Sequence, residues 1–490
     1  MSKVYIFGIG GTGARVIRSL TMLLAAGVKM GNNIDTVIPV MIDPDKSNGD
    51  LTRTITLLKT YKTIHESLKF GKNSKSLFFR TKIDDLNTSF RLQVDDVADK
   101  DFQTYIKYLS LDSRNQALIS LLFSKKNLEA HMDVGFKGNP NMGSVVLNNF
   151  SSNPNNNLEA VLSSFRSGDR IFIISSIFGG TGAAGFPLLL KTLRQAQNSQ
   201  LPSSAIVSNA PIGAITVLPY FGVEHDEESE INMDSFMSKA KAALSYYRDN
   251  LNVDSLYYIS DKLSKNYKNH EGDSAQRNNA HFIEMISALA VVDFCQNNRQ
   301  HDGTKEYKEF GLLDDKSCIS LKNLSDTTRL LIQKPLISMF IFDKFYKEHL
   351  NSTWDGAWAK DFSYTDEENG SENSLDSSVT SKDFFVKLTK FLKDFDVEWL
   401  REMEDNNRSF KPFNLNTSGD NIFSSIDGFE PKKSGFLSKL TSKNLDGYEA
   451  IDNAVADISN ELHKKLPMYD YFMDVHWQAI NKVLKTKFGI

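Results

Sequence analysis

Two short stretches of the chain are dense in glycine and carry threonine: Gly8-Ile9-Gly10-Gly11-Thr12-Gly13 and Phe178-Gly179-Gly180-Thr181-Gly182-Ala183-Ala184-Gly185. Glycine lets backbone amides approach a phosphate closely. A helix that starts at such a loop adds unpaired N–H groups and a partial positive charge. Thr181 could add a hydroxyl donor. Two such loops can grip one polyphosphate from two sides. A third stretch, Gly135-Phe136-Lys137-Gly138-Asn139-Pro140-Asn141-Met142-Gly143, is a rigid loop that exposes amides through its glycines and its Asn-Pro step. Each stretch taken alone also reads as a tight turn with no ligand, and the first alone also fits a dinucleotide-binding fold.

The elements that would hold these loops follow from hydrophobic periodicity. Residues 3–8 read as a short buried strand, and 14–26 as a helix with Val16, Leu20, Leu23 and Leu24 at helical spacing. Residues 36–42 read as a second strand, ending in Asp43-Pro44-Asp45. Residues 51–130 read as mainly helical, and 148–157 as a polar connector. Residues 170–177 are a strongly apolar strand, followed by a helix over 183–196. Strands are expected at 212–218 and 255–259, a helix at 233–247, and a long helix over 274–298. This alternation is that of a doubly wound, mostly parallel α/β sheet. Beyond it, residues 363–382 are rich in Ser, Asp, Glu and Asn and read as a mobile acidic linker. Residues 384–404, 447–465 and 470–487 read as amphipathic helices. The expected division is an α/β nucleotide-binding domain over 1–273, a central long helix over 274–299, and a helical C-terminal region over 300–490.

The totals set limits on partners. The 490 residues carry a net charge of −4 and show no basic stripe, which argues against nucleic acid, because phosphate neutralisation needs clustered Lys and Arg. Cys295 and Cys318, two isolated thiols, make neither a disulfide framework nor a zinc site. The first residues are too short for a signal-peptide core, and no apolar run is long enough to span a bilayer. The expectation is a cytoplasmic protein with no membrane partner.

In order along the chain, the three loops resemble those of the tubulin/FtsZ superfamily. The first is similar to the family's N-terminal phosphate loop. The third resembles the FtsZ loop that covers the terminal phosphate. Ser163 to Pro187 resembles FtsZ nearly throughout, including the signature GGTGxxG. Val217-Leu218-Pro219-Tyr220-Phe221, Val253-Asp254-Ser255-Leu256 and Ser260-Asp261-Lys262-Leu263 continue the likeness, which covers about Lys3 to Asn298. What the resemblance implies is a divergent bacterial tubulin-like protein that binds GTP or GDP with Mg2+. Gly8, Gly10, Gly11, Thr12, Gly13, Gly179, Gly180, Thr181 and Gly182 would line the phosphates, and Gly138, Asn139 and Gly143 would approach the γ-phosphate. Asp43 and Asp45 would stand at the second loop, with Asp45 toward magnesium. Asn278 or Asn279 would read the purine edge, with a donor and an acceptor each.

The family completes hydrolysis with carboxylates from the next subunit. Here Asp326 keeps the second acid, Lys322 stands where the first would be, and Asp314 and Asp315 lie nearby. Three readings follow. The chain assembles head to tail into filaments, with itself as partner. Alternatively it is a non-polymerising nucleotide switch or scaffold with operon-encoded protein partners, an anti-phage role being an analogy only. The third reading is a Rossmann-type oxidoreductase with Asp43 at the end of its second strand.

Overall fold

The computed structural model describes residues 2–92, 97, 100–132, 136, 139–148, 158–198, 203–223, 233–261, 266–267, 274, 277–297, 299–310, 316–366, 370–417, 419–428, 447–462 and 466–490. Seven strands form one sheet: β1 (Ser2–Ile9), β2 (Ile34–Ile42), β3 (Lys82–Ile83), β4 (Arg170–Ser176), β5 (Ile212–Val217), β6 (Ser255–Ile259) and β7 (Glu306–Phe310). Their order is β3-β2-β1-β4-β5-β6-β7, and every pairing is parallel. A central parallel strand is covered on both faces, and Val4, Tyr5, Ile6 and Phe7 of β1 are accordingly fully buried. The order runs outward in opposite directions from β1 and β4. The crevice at their carboxyl ends is therefore the switch point of the sheet, where open α/β folds take ligands.

Among the helices that accompany these strands are α1 (Gly10–Ala25), α2 (Gly49–Ser67), α3 (Pro140–Leu147), α4 (Gly180–Arg194), α5 (Met233–Asn250) and α6 (Phe282–Gln296). Helix α1 follows β1 and α4 follows β4, so each glycine loop is a strand-to-helix turn at the switch point. The stretch 51–130 is less helical than expected. Helix α2 ends at Ser67, and Ser113–Leu122 is the longest helix in the rest of it.

The sheet does not stop where the sequence suggests. Helix α6 starts at Phe282, later than the expected 274, because His281 caps it. The His281 ring accepts from the Ile283 amide at 3.1 Å, and the Glu284 carboxylate accepts from the His281 amide at 3.1 Å. This reciprocal pair is a capping box. Asn278 and Asn279 therefore precede the helix. After α6 the chain enters β7, parallel to β6, so α6 is a crossover helix inside the sheet domain. The charged β7 sequence Glu-Tyr-Lys-Glu-Phe suits an edge strand.

The remainder is mainly helical: α7 (Asp326–Glu348), α8 (Asp383–Phe395), α9 (Gly447–Glu461) and α10 (Met468–Phe488). A π-helical turn, Asp396–Leu400, and the short helix Arg401–Glu404 extend α8. The stretch expected as a linker instead contains an antiparallel ribbon, Ser363–Thr365 against Glu372–Ser374. It is anchored where Phe362 stacks on Tyr471, with ring centres 3.9 Å apart, and Leu375 and Val379 are buried beside it. A few apolar anchors in a polar stretch suffice to give it regular structure.

The helical region closes on the sheet domain. Phe391 of α8 meets Tyr61 and Phe79 edge-on. Asp470 and Asp474 of α10 accept the backbone amides of Lys69, Phe70, Lys75 and Ser76 at 2.7–2.9 Å. Among the described residues no helix is long and apolar enough to cross a membrane.

Candidate functional site

The first glycine loop is shaped by close packing at one end. A Cβ on Gly13 would sit 2.5 Å from the carbonyl carbon of Gly8 and 3.2 Å from the oxygen of Ile174. Any side chain there would push α1 away from β1 and β4. Gly10 has φ +72, a conformation that glycine adopts without strain.

The second loop lies directly opposite. A Cβ on Gly10 would be 3.7 Å from the Cβ of Thr181 and 3.8 Å from the amide nitrogen of Gly182. Gly182 is locked against β4, where a Cβ would meet the Ser176 oxygen at 2.8 Å. Gly179 is the residue before α4, and Gly180 is its first residue. Gly10, Gly11, Gly179 and Thr181 are partly exposed, whereas Gly8, Thr12, Gly13, Gly180 and Gly182 are buried.

The helix starts differ in one telling way. Asn48 caps α2, Asn139 caps α3 and His281 caps α6 with side-chain acceptors. Neither α1 nor α4 has a side-chain cap. The first N–H groups of a helix have no partner within it. Two long helices with uncapped starts thus face each other across the switch point, and an anion is the partner that such groups suit.

The described end of the third stretch, Asn139 to Gly143, comes to the same place, with different roles for its residues. A Cβ on Gly143 would be 2.9 Å from the Cβ of Ala184 and 3.0 Å from the oxygen of Gly180. Gly143 therefore lets α3 press on the start of α4, and it is buried by that packing. The Asn139 side chain is already engaged. Its oxygen accepts from the amides of Asn141 and Met142, and its nitrogen donates to Asn127 at 3.0 Å. Gly138 lies outside the described residues, as do Asp314 and Asp315.

Asp43 and Asp45 are both buried at the end of β2. The Asp43 carboxylate accepts from the Asp45 amide at 3.1 Å, and Asp45 accepts from the amide and hydroxyl of Ser47 at 2.9 and 2.7 Å. Burial pushes the Asp43 carboxyl up to about 7. Among the described residues no group of three or more His, Cys, Asp or Glu could hold a metal ion. Magnesium is commonly held by one or two carboxylates together with substrate phosphates and water. The Asp43–Asp45 pair fits that mode and does not fit a cage made by protein alone.

Asp326 is exposed at the first turn of α7 and pairs with Arg329 at 2.6 Å. Lys322 pairs with Asp427 at 3.0 Å. Neither pairing involves the glycine loops.

A buried ionic cluster adjoins the first loop, and the glycine motifs gave no hint of it. A Cβ on Gly11 would stand 3.5 Å from Nη1 of Arg15 and 3.8 Å from Asp50. Arg15 donates to Asp50 at 2.6 Å, to Glu284 at 2.5 Å, to the Tyr220 hydroxyl at 2.9 Å and to Thr12 at 3.2 Å. Tyr220 donates onward to Glu284 at 2.6 Å, and burial holds its phenol well above the ordinary range. One guanidinium thus joins α1, α2, α6 and the turn after β5. The cluster continues through Arg53, which reaches Asp50 at 3.3 Å and Glu402 at 2.7 Å, and Arg18, which reaches Glu402 at 2.8 Å. Burial, and then the Arg53 charge, pull the Arg18 guanidinium below its ordinary value. The signal that could have found this cluster is a pair of arginines in the apolar run 14–26, since buried charges need partners.

Asn278 and Asn279 lie half-buried beside the cluster. The Asn278 amide approaches Asp50 at 3.3 Å, and its carbonyl accepts from Arg53 at 2.7 Å.

No protein-family model matches the chain, and no curated protein matches it. Among solved structures, it is similar to CetZ from Methanosaeta thermophila at 15% identity and a TM-score of 0.24, over 60% of this chain. The match spans 51% of that protein's length.

Proposed function

We propose that the chain binds a nucleoside triphosphate at the doubled glycine loop, with GTP as the nucleotide, and that it assembles head to tail with GTP at the contact between copies. The observation that carries the binding is the approach of two uncapped helix starts, close enough that a Cβ on Gly10 would be 3.7–3.8 Å from Thr181 and Gly182. The order of the three loops, which resembles the tubulin/FtsZ superfamily, supports guanine as the base and assembly as the consequence. In this reading the partly exposed amides at Gly10, Gly11, Gly179 and Thr181 hold phosphate oxygens. Asp43 and Asp45 would hold a magnesium ion through its waters, and the ion would supply positive charge beside the phosphates. A repeating contact of this head-to-tail kind does not close on itself and yields filaments.

The test is competition between GTP, ATP and NAD for a fluorescent guanine nucleotide, followed by light scattering with GTP. GTP displaces the probe and raises scattering if the reading holds. Preferential displacement by NAD would transfer the site to the Rossmann dinucleotide reading. Displacement by GTP without scattering would favour the switch or scaffold. One observation supports that second outcome: Lys322, at the expected position of the first acid, is tied to Asp427, while Asp314 and Asp315, the nearby acids that could substitute, lie outside the described residues.

A further inference from the structure

We propose that Glu402 and Asn406 are positioning residues that hold the backbone of residues 278–280 for base recognition, a role that rests on the nucleotide site proposed above. The segment carries Asn278 and Asn279, the two candidates for reading the base. It is not fixed by the helix that follows it, because α6 begins only at Phe282. Its backbone is fixed from outside. The Ala280 amide donates to Glu402 at 2.7 Å, and the Ala280 carbonyl accepts from the Asn406 side chain at 2.7 Å. Both backbone groups of one residue are thus satisfied by the C-terminal region, 122 and 126 positions along the chain.

Glu402 does more than accept that amide. It lies between Arg18 and Arg53, and the three are joined at 2.7–2.8 Å. Arg53 in turn donates to the Asn278 carbonyl at 2.7 Å. Removing the Glu402 charge leaves the buried Arg18 and the part-buried Arg53 close together without the carboxylate between them, and Arg53 holds Asn278. The same short stretch of the C-terminal region also reaches α1, where the Trp399 ring nitrogen donates to Ser19 at 3.0 Å. Trp399 sits in the π-helical turn, a distortion that recurs at functional sites. Helix α1 carries the first glycine loop at its start, nine residues before Ser19, so the C-terminal region also braces the helix that bears this loop. Its grip on the base side is the more direct, through the backbone of Ala280.

This geometry separates two affinities. Inorganic triphosphate uses the glycine loops alone, whereas GTP uses the loops and the 278–280 segment. Glu402→Gln and Asn406→Ala are expected to lower GTP affinity about tenfold, toward that of triphosphate, which corresponds to about 1.4 kcal/mol. Both variants should keep triphosphate affinity within about twofold of the parent, and both should lose preference for GTP over ATP. Calorimetry with GTP, ATP and sodium triphosphate on the full chain reads all three. A parallel fall in GTP and triphosphate affinity would mean general loosening and would overturn the proposal. So would unchanged affinities in both variants, or equal affinity of the parent for GTP and triphosphate. If Glu402→Gln does not fold, Asn406→Ala decides alone. A parent that binds neither GTP nor triphosphate removes the nucleotide reading itself and this proposal with it. A parent that binds both, with variants that behave like it, removes only the proposal.

Discussion

At the scale of single residues, neighbours within one loop are expected to answer differently to the same change. Thr181 lies 3.7 Å from where a Cβ on Gly10 would stand, while Gly182 has the Ser176 carbonyl 2.8 Å from where its own Cβ would stand. Thr181→Ala should lower GTP affinity roughly tenfold, the value of one hydrogen bond to a charged group, and leave the urea midpoint in place. Gly182→Ala should instead destabilise the fold by about 1–3 kcal/mol, as overpacking does. Equal effects of the two on stability would contradict the geometry. Asp43 gives a pH signature. Its folded carboxyl titrates near 7, well above the ordinary value of 3.8, because it is buried. The folded state then holds the proton more tightly than the unfolded chain. The stability that this contributes is complete below about pH 4 and is lost as pH rises through about 7. The gap corresponds to on the order of 4 kcal/mol. Asp343 in α7, also raised to about 7 chiefly by burial, adds a similar slope. Asp43→Asn should therefore remove its own contribution to the decline in stability between pH 4 and 7, read by urea titration at several pH values. A slope that does not change would assign the decline elsewhere.

At the scale of elements, the cluster around Arg15 determines how four of them meet. Asp50 and Glu284 are almost fully buried, so losing Arg15 strands carboxylates that water cannot reach. Arg15→Met should cost about 3–5 kcal/mol, the usual penalty for breaking a buried pair from one side. A loss below about 1 kcal/mol, the ordinary value of an exposed pair, would mean that solvent enters the cluster. The sequence made the strands of the switch point and both glycine turns legible, because apolar runs ending in glycine have few other solutions. It did not reveal the cluster, whose members come from residues 12 to 402 and have no shared spacing. The start of α6 was also hidden. Histidine is a rare cap, and Asn278 resembles a common one. Strand β7 was missed because its charges suit an edge and break the apolar pattern that marks a buried strand. Asn139 illustrates a limit of motif reading. The Asn-Pro step marks a helix start as strongly as a ligand loop, and the side chain caps α3.

At the scale of the whole molecule, the sheet domain and the helical region share contacts that neither could replace. Asp474 accepts from the Ser74 hydroxyl and from the amides of Lys75 and Ser76 at 2.8–2.9 Å. Asp474→Ala should cost about 2–4 kcal/mol, for several hydrogen bonds to a charged group. It should also speed hydrogen exchange at residues 75–76 while the β1 amides stay protected. Uniformly faster exchange across β1 would mean that the contact supports the whole fold and not this loop. The separation along the chain has a further consequence for how the protein is made. The acceptors for Lys69 and Phe70 lie 401 and 400 residues downstream. A ribosome therefore releases this loop long before it synthesises the helix that satisfies it. A nascent chain halted before residue 470 would leave those amides to water or to a chaperone. The helix that satisfies residues 69–76 is made about 400 residues after them.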